Sequence, residues 1–213
     1  MITNKVNIRW LGQQDYMNCW QKMQQFTHTR TNETLDELWL LEHGPVYTQG
    51  QNGKPEHVLH PGTVPVVQTD RGGQVTYHGP GQLMIYTLVD LKRKQFTIRS
   101  LVSLLEQSVI DFLAAYNITA YAKPEAPGVY VDKKKIGSIG LRVRRGCAYH
   151  GVAFNVAMDL QAFTHINPCG FAKLEMTQFV DLGGLHNTLD TARELIHYFM
   201  KHLGYTSGNY YWA

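Results

Sequence analysis

This chain lacks most of the features that announce a compartment or a bound cofactor. No apolar run approaches the ~20 residues that a bilayer-spanning helix needs. The opening Met-Ile-Thr-Asn-Lys-Val-Asn-Ile-Arg-Trp has no apolar core like that of a secretory signal. A cytoplasmic protein with no membrane partner is expected. Cysteine is scarce: only Cys19, Cys147 and Cys169 occur. Their number is odd and no Cys-x-x-Cys or Cys/His cluster appears, so neither a disulfide framework nor a structural zinc site is expected. Charged residues make up 17% of the chain and the net charge is +3, too little by itself to imply nucleic-acid binding. The 213 residues, 44% of them hydrophobic, fit one globular domain spanning residues 1–213.

Familiar catalytic motifs are missing too. There is no Gly-x-x-x-x-Gly-Lys-Ser/Thr phosphate loop. There is no Gly-x-Gly-x-x-Gly opening a dinucleotide-binding helix, and no Gly-x-Ser-x-Gly elbow for a serine nucleophile.

What the chain does have is a glycine-rich segment, Arg71-Gly-Gly-Gln-Val-Thr-Tyr-His-Gly-Pro-Gly-Gln82. Glycine tolerates positive φ and lets backbone come close to a ligand, so this segment reads as a binding loop. Around it, strands are expected at 5–11, 37–42, 64–68 and 83–91, with His43-Gly44-Pro45 breaking the second. A helix is expected over 15–30, with Tyr16, Trp20 and Met23 at helical spacing. A second helix follows Thr97 as its cap and runs to about Tyr116, with Leu101, Leu104, Leu105, Ile110 and Leu113 on one side. Strands at 129–131 and 135–143 form a hairpin about the turn Asp132-Lys133-Lys134, and 148–156 adds another strand. A last helix covers about 189–203, with Gly204 at its C-cap. Helices and strands mix without strict alternation, which points to an α+β fold: a mixed sheet with flanking helices.

Chemistry is sought first at the cysteines. Cys169 lies in Asn167-Pro-Cys-Gly170, where proline fixes the backbone before it and glycine frees it after. Cys19, beside Trp20 in a helix, reads as a structural thiol, and Cys147 has no assigned role. A nucleophilic thiol needs a nearby cation, since a free one titrates at ~8.5. Lys135 is the candidate: it starts the return strand of the hairpin and runs into Ile136-Gly-Ser-Ile-Gly140, whereas Lys133 and Lys134 belong to a solvated turn. Among ten histidines, His78 and His150 stand out because glycine follows each. Basic runs at 92–94, 133–135 and 142–145 read as solvated faces or turns.

Taken in order, Arg71 to Gln82, Lys135 to Gly140, His150-Gly-Val-Ala153, Asn167 to Gly170 and the earlier Leu41-Glu-His-Gly-Pro-Val-Tyr-Thr-Gln-Gly50 resemble the octanoyl/lipoyl transferase family over nearly the whole chain. The resemblance implies the catalytic-domain fold shared with lipoate- and biotin-protein ligases. It implies an acyltransferase that moves an octanoyl group from octanoyl-acyl carrier protein to one lysine of lipoyl domains. Those domains include the E2 subunits of 2-oxoacid dehydrogenases and the glycine-cleavage H protein. The family's acyl-thioester cysteine falls on Cys169 and its catalytic lysine on Lys135. Its substrate-lining positions fall on Arg71, Gly72, Gly73, Gln74, Val75, Thr76, Tyr77 and His78, on Ser138, Ile139 and Gly140, and on Gly151, Val152 and Ala153. No cofactor and no metal are implied, because phosphopantetheine arrives on the carrier. Small residues along these stretches are expected to form the wall of an acyl tunnel, and the basic runs acquire a second reading as docking surfaces for acidic partners. The rival enzyme is an ATP-dependent lipoate-protein ligase, which needs the lysine but not the cysteine. A non-enzymatic binder of lipoyl domains is a further alternative.

Overall fold

Each face of the central sheet is covered by helices, and the sequence shows why. The computed structural model describes residues 4–212; Met1 to Thr3, the start of the stretch read for a secretory signal, and Ala213 lie outside the described residues. In chain order the elements are β1 (Lys5–Gln14), α1 (Tyr16–Thr29), β2 (Asp36–His43), β3 (Val46–Gln49), β4 (Val66–Gln68), β5 (Val75–His78) and β6 (Gln82–Asp90). Then come α2 (Leu91–Lys94), α3 (Ile98–Ala115), β7 (Tyr121–Ala122), β8 (Gly128–Val131), β9 (Lys134–Arg144), β10 (Cys147–Asn155), α4 (Thr188–His202) and β11 (Ser207–Tyr211). Among the described residues the strands form an eight-stranded sheet, β11-β1-β2-β6-β10-β9-β8-β7, and a three-stranded sheet, β4-β3-β5. In the large sheet β1 runs parallel to both β11 and β2, and the other pairs are antiparallel. The sheet is therefore mixed, as the sequence suggests.

β2, β6 and β10 read as continuous apolar runs because they are buried on both sides. Side chains alternate along a strand. Leu38, Leu40, Leu83, Ile85, Val152 and Phe154 therefore join α3 and α4 in the main core. Trp39, Leu41, Met84, Tyr86, Tyr149 and Ala153 face the other way, where Cys19 and Met23 of α1 partly cover them. The helices start where capping residues stand: Asp15 accepts from the Asn18 amide, Thr97 and Ser100 make a reciprocal capping box, and Asn187 accepts from the Asp190 amide. Gly204 follows α4 at φ 68°, in the left-handed region expected of a C-cap glycine.

Several expectations change. The glycine-rich segment is not one loop, since residues 75–78 form β5. The hairpin turn is tighter than expected, with Asp132 and Lys133 both at positive φ and Lys134 already in β9, ion-paired with Glu175 at 3.1 Å. β3, α2, β7 and β11 are additional elements.

Candidate active site

The site is built on the register of three neighbouring strands. Ser138 and Gly140 of β9 stand directly opposite Ala153 and Gly151 of β10, which stand opposite Met84 and Tyr86 of β6. Directly opposed residues share a face, so these six form a floor on the α1 side of the sheet. Above it lies a cavity of about 460 Å³, within the ~300–1,000 Å³ range of small-molecule sites. It is lined by Tyr16 of α1, residues 71–76, His78, Ile98, Val102, Cys169 and Phe171.

Lys135 reaches this cavity through a bulge. Val129 pairs with Gly137 but Tyr130 pairs with Lys135, leaving Ile136 as the extra residue of β9. Ile136 enters the main core while the Lys135 side chain, 1% exposed, lies along the cavity. Its Nζ is 3.1 Å from Cys169 Sγ and 5.3 Å from the centre of the Tyr130 ring. Burial presses the Lys135 pKa down, but attraction to Cys169 and Tyr130 outweighs it, and the net shift is upward. Gly128, at φ 140°, packs on the lysine stem: a Cβ there would sit 2.4 Å from Lys135 Cε. The Gly128 amide donates to Glu106 Oε1 of α3 at 2.9 Å, which holds this contact in place.

Cys169 lies 34 residues away in sequence and is brought in by backbone pairing. The Lys135 amide donates to the Glu175 carbonyl and the Thr177 amide donates to the Lys135 carbonyl, at 2.9 and 3.0 Å. At the other end of the loop the Asn167 amide donates to the His57 carbonyl at 2.8 Å. Between these anchors, Pro168–Gly170 forms a single 3-10 turn in which Cys169 is itself left-handed, φ 58° and ψ 16°. A non-glycine residue there costs ~1–2 kcal/mol, and the turn aims the half-buried thiol at Lys135. Burial pushes the other two thiols up, Cys19 to about 12.

A polar frame holds the glycine-rich segment. The buried Arg71 guanidinium donates to the Thr48 carbonyl and hydroxyl and to the Gly72 and Gln74 carbonyls, at 2.6 to 3.2 Å. The Thr48 hydroxyl donates to His78 Nε2, 3.1 Å, and His78 Nδ1 donates to Gln82 Oε1, 2.8 Å. This tautomer is set by the partners: Gln82 Nε2 is committed as a donor to Asn155 Oδ1, and Asn155 Nδ2 to the Thr177 carbonyl. His78 is neutral, because burial, then His43 and Arg71, drive its pKa well below the usual value. A second frame centres on Asp70, which accepts from Trp20 Nε1, Gln24 Nε2, the Tyr149 hydroxyl and His150 Nε2. Burial acts to raise the Asp70 pKa, but these donors, His150 foremost, hold it far below the ordinary carboxylate range.

The structure brings Arg71 to Thr76, His78, Lys135, Ser138, Ile139, Gly140, Gly151, Ala153 and Cys169 to one cavity. Tyr77 and Val152 are not there. Tyr77 packs on Tyr47 and Phe163, and Val152 points into the main core. Gly151 lines the cavity, but a Cβ on it would lie 2.0 Å from the Ile85 carbonyl, so its missing side chain makes room for β6 rather than for a ligand. Arg93, from a basic run with a proposed docking role, is paired with buried Asp36. Tyr16, Met84, Tyr86, Ile98, Val102 and Phe171 line the cavity without a motif to mark them. Among the described residues no group of three His, Cys, Asp or Glu could hold a metal ion, and no helix is long and apolar enough to cross a membrane.

Residues 15–203 match the family model of the lipoyl protein ligase A/B catalytic domain. The chain belongs to this family. A relative from Shewanella oneidensis named Octanoyltransferase is 56% identical over 205 residues, covering 96% of this chain and 94% of that one. Lipoate-protein ligase A solved with bound ATP has a TM-score of 0.77 at 15% identity, covering 93% of this chain and 85% of that one. A biotin protein ligase from Aquifex aeolicus solved with biotin and ATP has a TM-score of 0.58 at 15% identity, covering 92% and 70%. At such identities the two ligases show the fold alone, and that fold is the one the motifs imply.

Proposed function

We propose that this protein is an octanoyltransferase of protein lipoylation that carries its acyl group on Cys169. The observation behind this reading is the 3.1 Å contact between Lys135 Nζ and Cys169 Sγ beside the cavity. An ammonium at that distance is placed to pair with the sulfur as it acts as a nucleophile. The thiolate attacks the thioester carbonyl of octanoyl-acyl carrier protein; the carrier's phosphopantetheine sulfur leaves and takes a proton from Lys135. The neutral lysine then removes a proton from the amine of the lipoyl-domain lysine as that amine attacks the acyl-Cys169 thioester. Cys169 leaves as a thiolate beside a recharged Lys135, so the cycle closes without loss or gain of protons. The donor thioester is already activated, and no nucleotide is called for.

The eight-carbon chain occupies the cavity, where each buried CH₂ contributes about 0.8 kcal/mol. Ile98 and Phe171, 53% and 48% exposed, form an apolar rim at its open side for the incoming partners. Those partners are octanoyl-acyl carrier protein and lipoyl domains such as those of 2-oxoacid dehydrogenase E2 subunits and the glycine-cleavage H protein, met in the cytoplasm. The deciding experiment is incubation with octanoyl-acyl carrier protein in the absence of ATP, followed by intact-mass and peptide analysis. One octanoyl group on Cys169, absent in Cys169→Ala, is expected. Activity only from free octanoate plus ATP would instead make the protein a ligase.

A further inference from the structure

A tetrahedral intermediate needs a donor for its oxyanion. The backbone amide of the residue after the nucleophile, often used for this, is occupied here. The Gly170 amide donates to the Asn167 carbonyl at 2.9 Å and the Phe171 amide to the Pro168 carbonyl at 3.0 Å, both inside the turn that shapes Cys169. One N–H of Lys135 is directed at the sulfur. A further donor is sought in the cavity wall beside the Cys169 turn.

Gln74 stands there. Its main chain is fixed, since its carbonyl accepts from Arg71 at 2.8 Å and from the Gly50 amide at 3.3 Å. Its side chain lies over the residue after the nucleophile: its Cγ and Cδ are 3.0 and 3.3 Å from the place a Gly170 Cβ would take. Yet the amide at the end of that side chain is not paired. Gln74 Oε1 is buried with no hydrogen-bond partner among the described residues, a costly condition that a ligand group at this end of the side chain would relieve. Rotating the amide by half a turn presents its NH₂ at the same place.

We propose that the Gln74 side-chain amide is the oxyanion donor for acyl transfer at Cys169. This rests on the acyl-cysteine reading given above. As Cys169 Sγ bonds to the thioester carbon, the carbonyl π pair moves to oxygen, and Gln74 Nε2–H donates to that oxygen. When the C=O bond re-forms, the carrier's sulfur is expelled and the hydrogen bond weakens. The same donor serves the second half-reaction, in which the lysine amine is the attacking group.

The test compares two reactions of the same thiol. Alkylation by iodoacetamide is a displacement at saturated carbon and passes through no oxyanion; acylation by octanoyl-acyl carrier protein does. In Gln74→Leu, Cys169 alkylation should stay within about twofold of wild type, while its acylation rate falls about 10²–10³-fold, the loss seen when one oxyanion donor is removed. Gln74→Lys, which restores a donor at similar reach, should recover at least tenfold of that loss. Acylation of Gln74→Leu within threefold of wild type would overturn the assignment. So would a parallel fall in alkylation and acylation, which would make Gln74 a support for the Cys169 turn. A wild-type protein that acquires no octanoyl group on Cys169 would defeat the acyl-cysteine reading and this assignment with it.

Discussion

Replacing Lys135 by methionine separates its electrostatic role from its packing. The side chains are similar in length and shape, so the cavity wall and the contact with Gly128 are kept while the charge is lost. At 3.1 Å and an effective dielectric of about 20, attraction between ammonium and thiolate is worth ~5 kcal/mol. Burying the ammonium offsets several kcal/mol of this. The upward shift of the Lys135 pKa says that attraction prevails. Lys135→Met should therefore slow iodoacetamide alkylation of Cys169 at neutral pH by roughly tenfold or more, because the cation beside the sulfur is gone. Acyl transfer should fall further, because the proton carrier is lost as well. Alkylation is read for each cysteine by peptide mass spectrometry. Cys19 and Cys147, whose thiols burial pushes up, act as silent internal controls. The raised Lys135 pKa means that the charged lysine stabilises the fold, so the variant should also melt somewhat lower than wild type while remaining folded at the assay temperature. Alkylation at the wild-type rate, or octanoyl transfer within threefold of wild type, would refute the role assigned to Lys135.

Two further perturbations address the supports of the site. Gly128→Ala places a methyl group 2.4 Å from Lys135 Cε at a φ of 140°. It should lower octanoyl transfer at least tenfold and destabilise the fold by more than ~1 kcal/mol, as read by turnover and by denaturant unfolding. Asp70 is held far below the ordinary carboxylate range. Its contribution to stability is complete above the unfolded value near ~3.9 and is lost as pH falls through the folded one. Urea titrations of Asp70→Asn from pH 6 to pH 2 should therefore show a flatter acid limb than wild type, with lower stability at neutral pH; parallel limbs would count against the Asp70 frame.

The elements legible in the sequence are those whose burial is one-sided or complete. β2 and β6 stand out as apolar runs because helices cover both faces; α1 shows in the spacing of Tyr16, Trp20 and Met23, α3 in its Thr97 cap and α4 in the glycine that follows it. β3, β5 and β11 carry no such pattern. Val46–Gln49 and Val75–His78 mix polar and apolar residues because their inward side chains, Thr48, Thr76 and His78, are polar and buried around a site. Local propensity reads such a segment as loop, and only the pairing of β3 with β5 makes it a strand. The motifs pointed to Cys169 and Lys135 one by one, but nothing in their spacing reveals a 3.1 Å contact. The Asp70 frame was invisible because its donors, Trp20, Gln24, Tyr149 and His150, come from a helix and a strand far apart in sequence.

The glycine-rich segment carries two structural functions at once, and this explains its composition better than flexibility does. Its first half is tied inward by Arg71, whose guanidinium binds Thr48 of β3 and the carbonyls of Gly72 and Gln74. Its second half becomes β5, and His78 passes the hydrogen-bond chain through Gln82 and Asn155 to the Thr177 carbonyl. Thr177 is in turn bonded to Lys135. The chain thus runs from the cavity wall to the backbone that carries the lysine, and each member is buried or committed to a single partner geometry. A buried polar chain of this kind is stable only when every link is satisfied. Moving β5 relative to β9 would break several links together, so the wall and the Lys135–Cys169 pair hold their separation as a unit. A flexible loop could not keep an acyl chain, a thiol and an ammonium in fixed register. A strand pinned by Arg71 at one end and His78 at the other can.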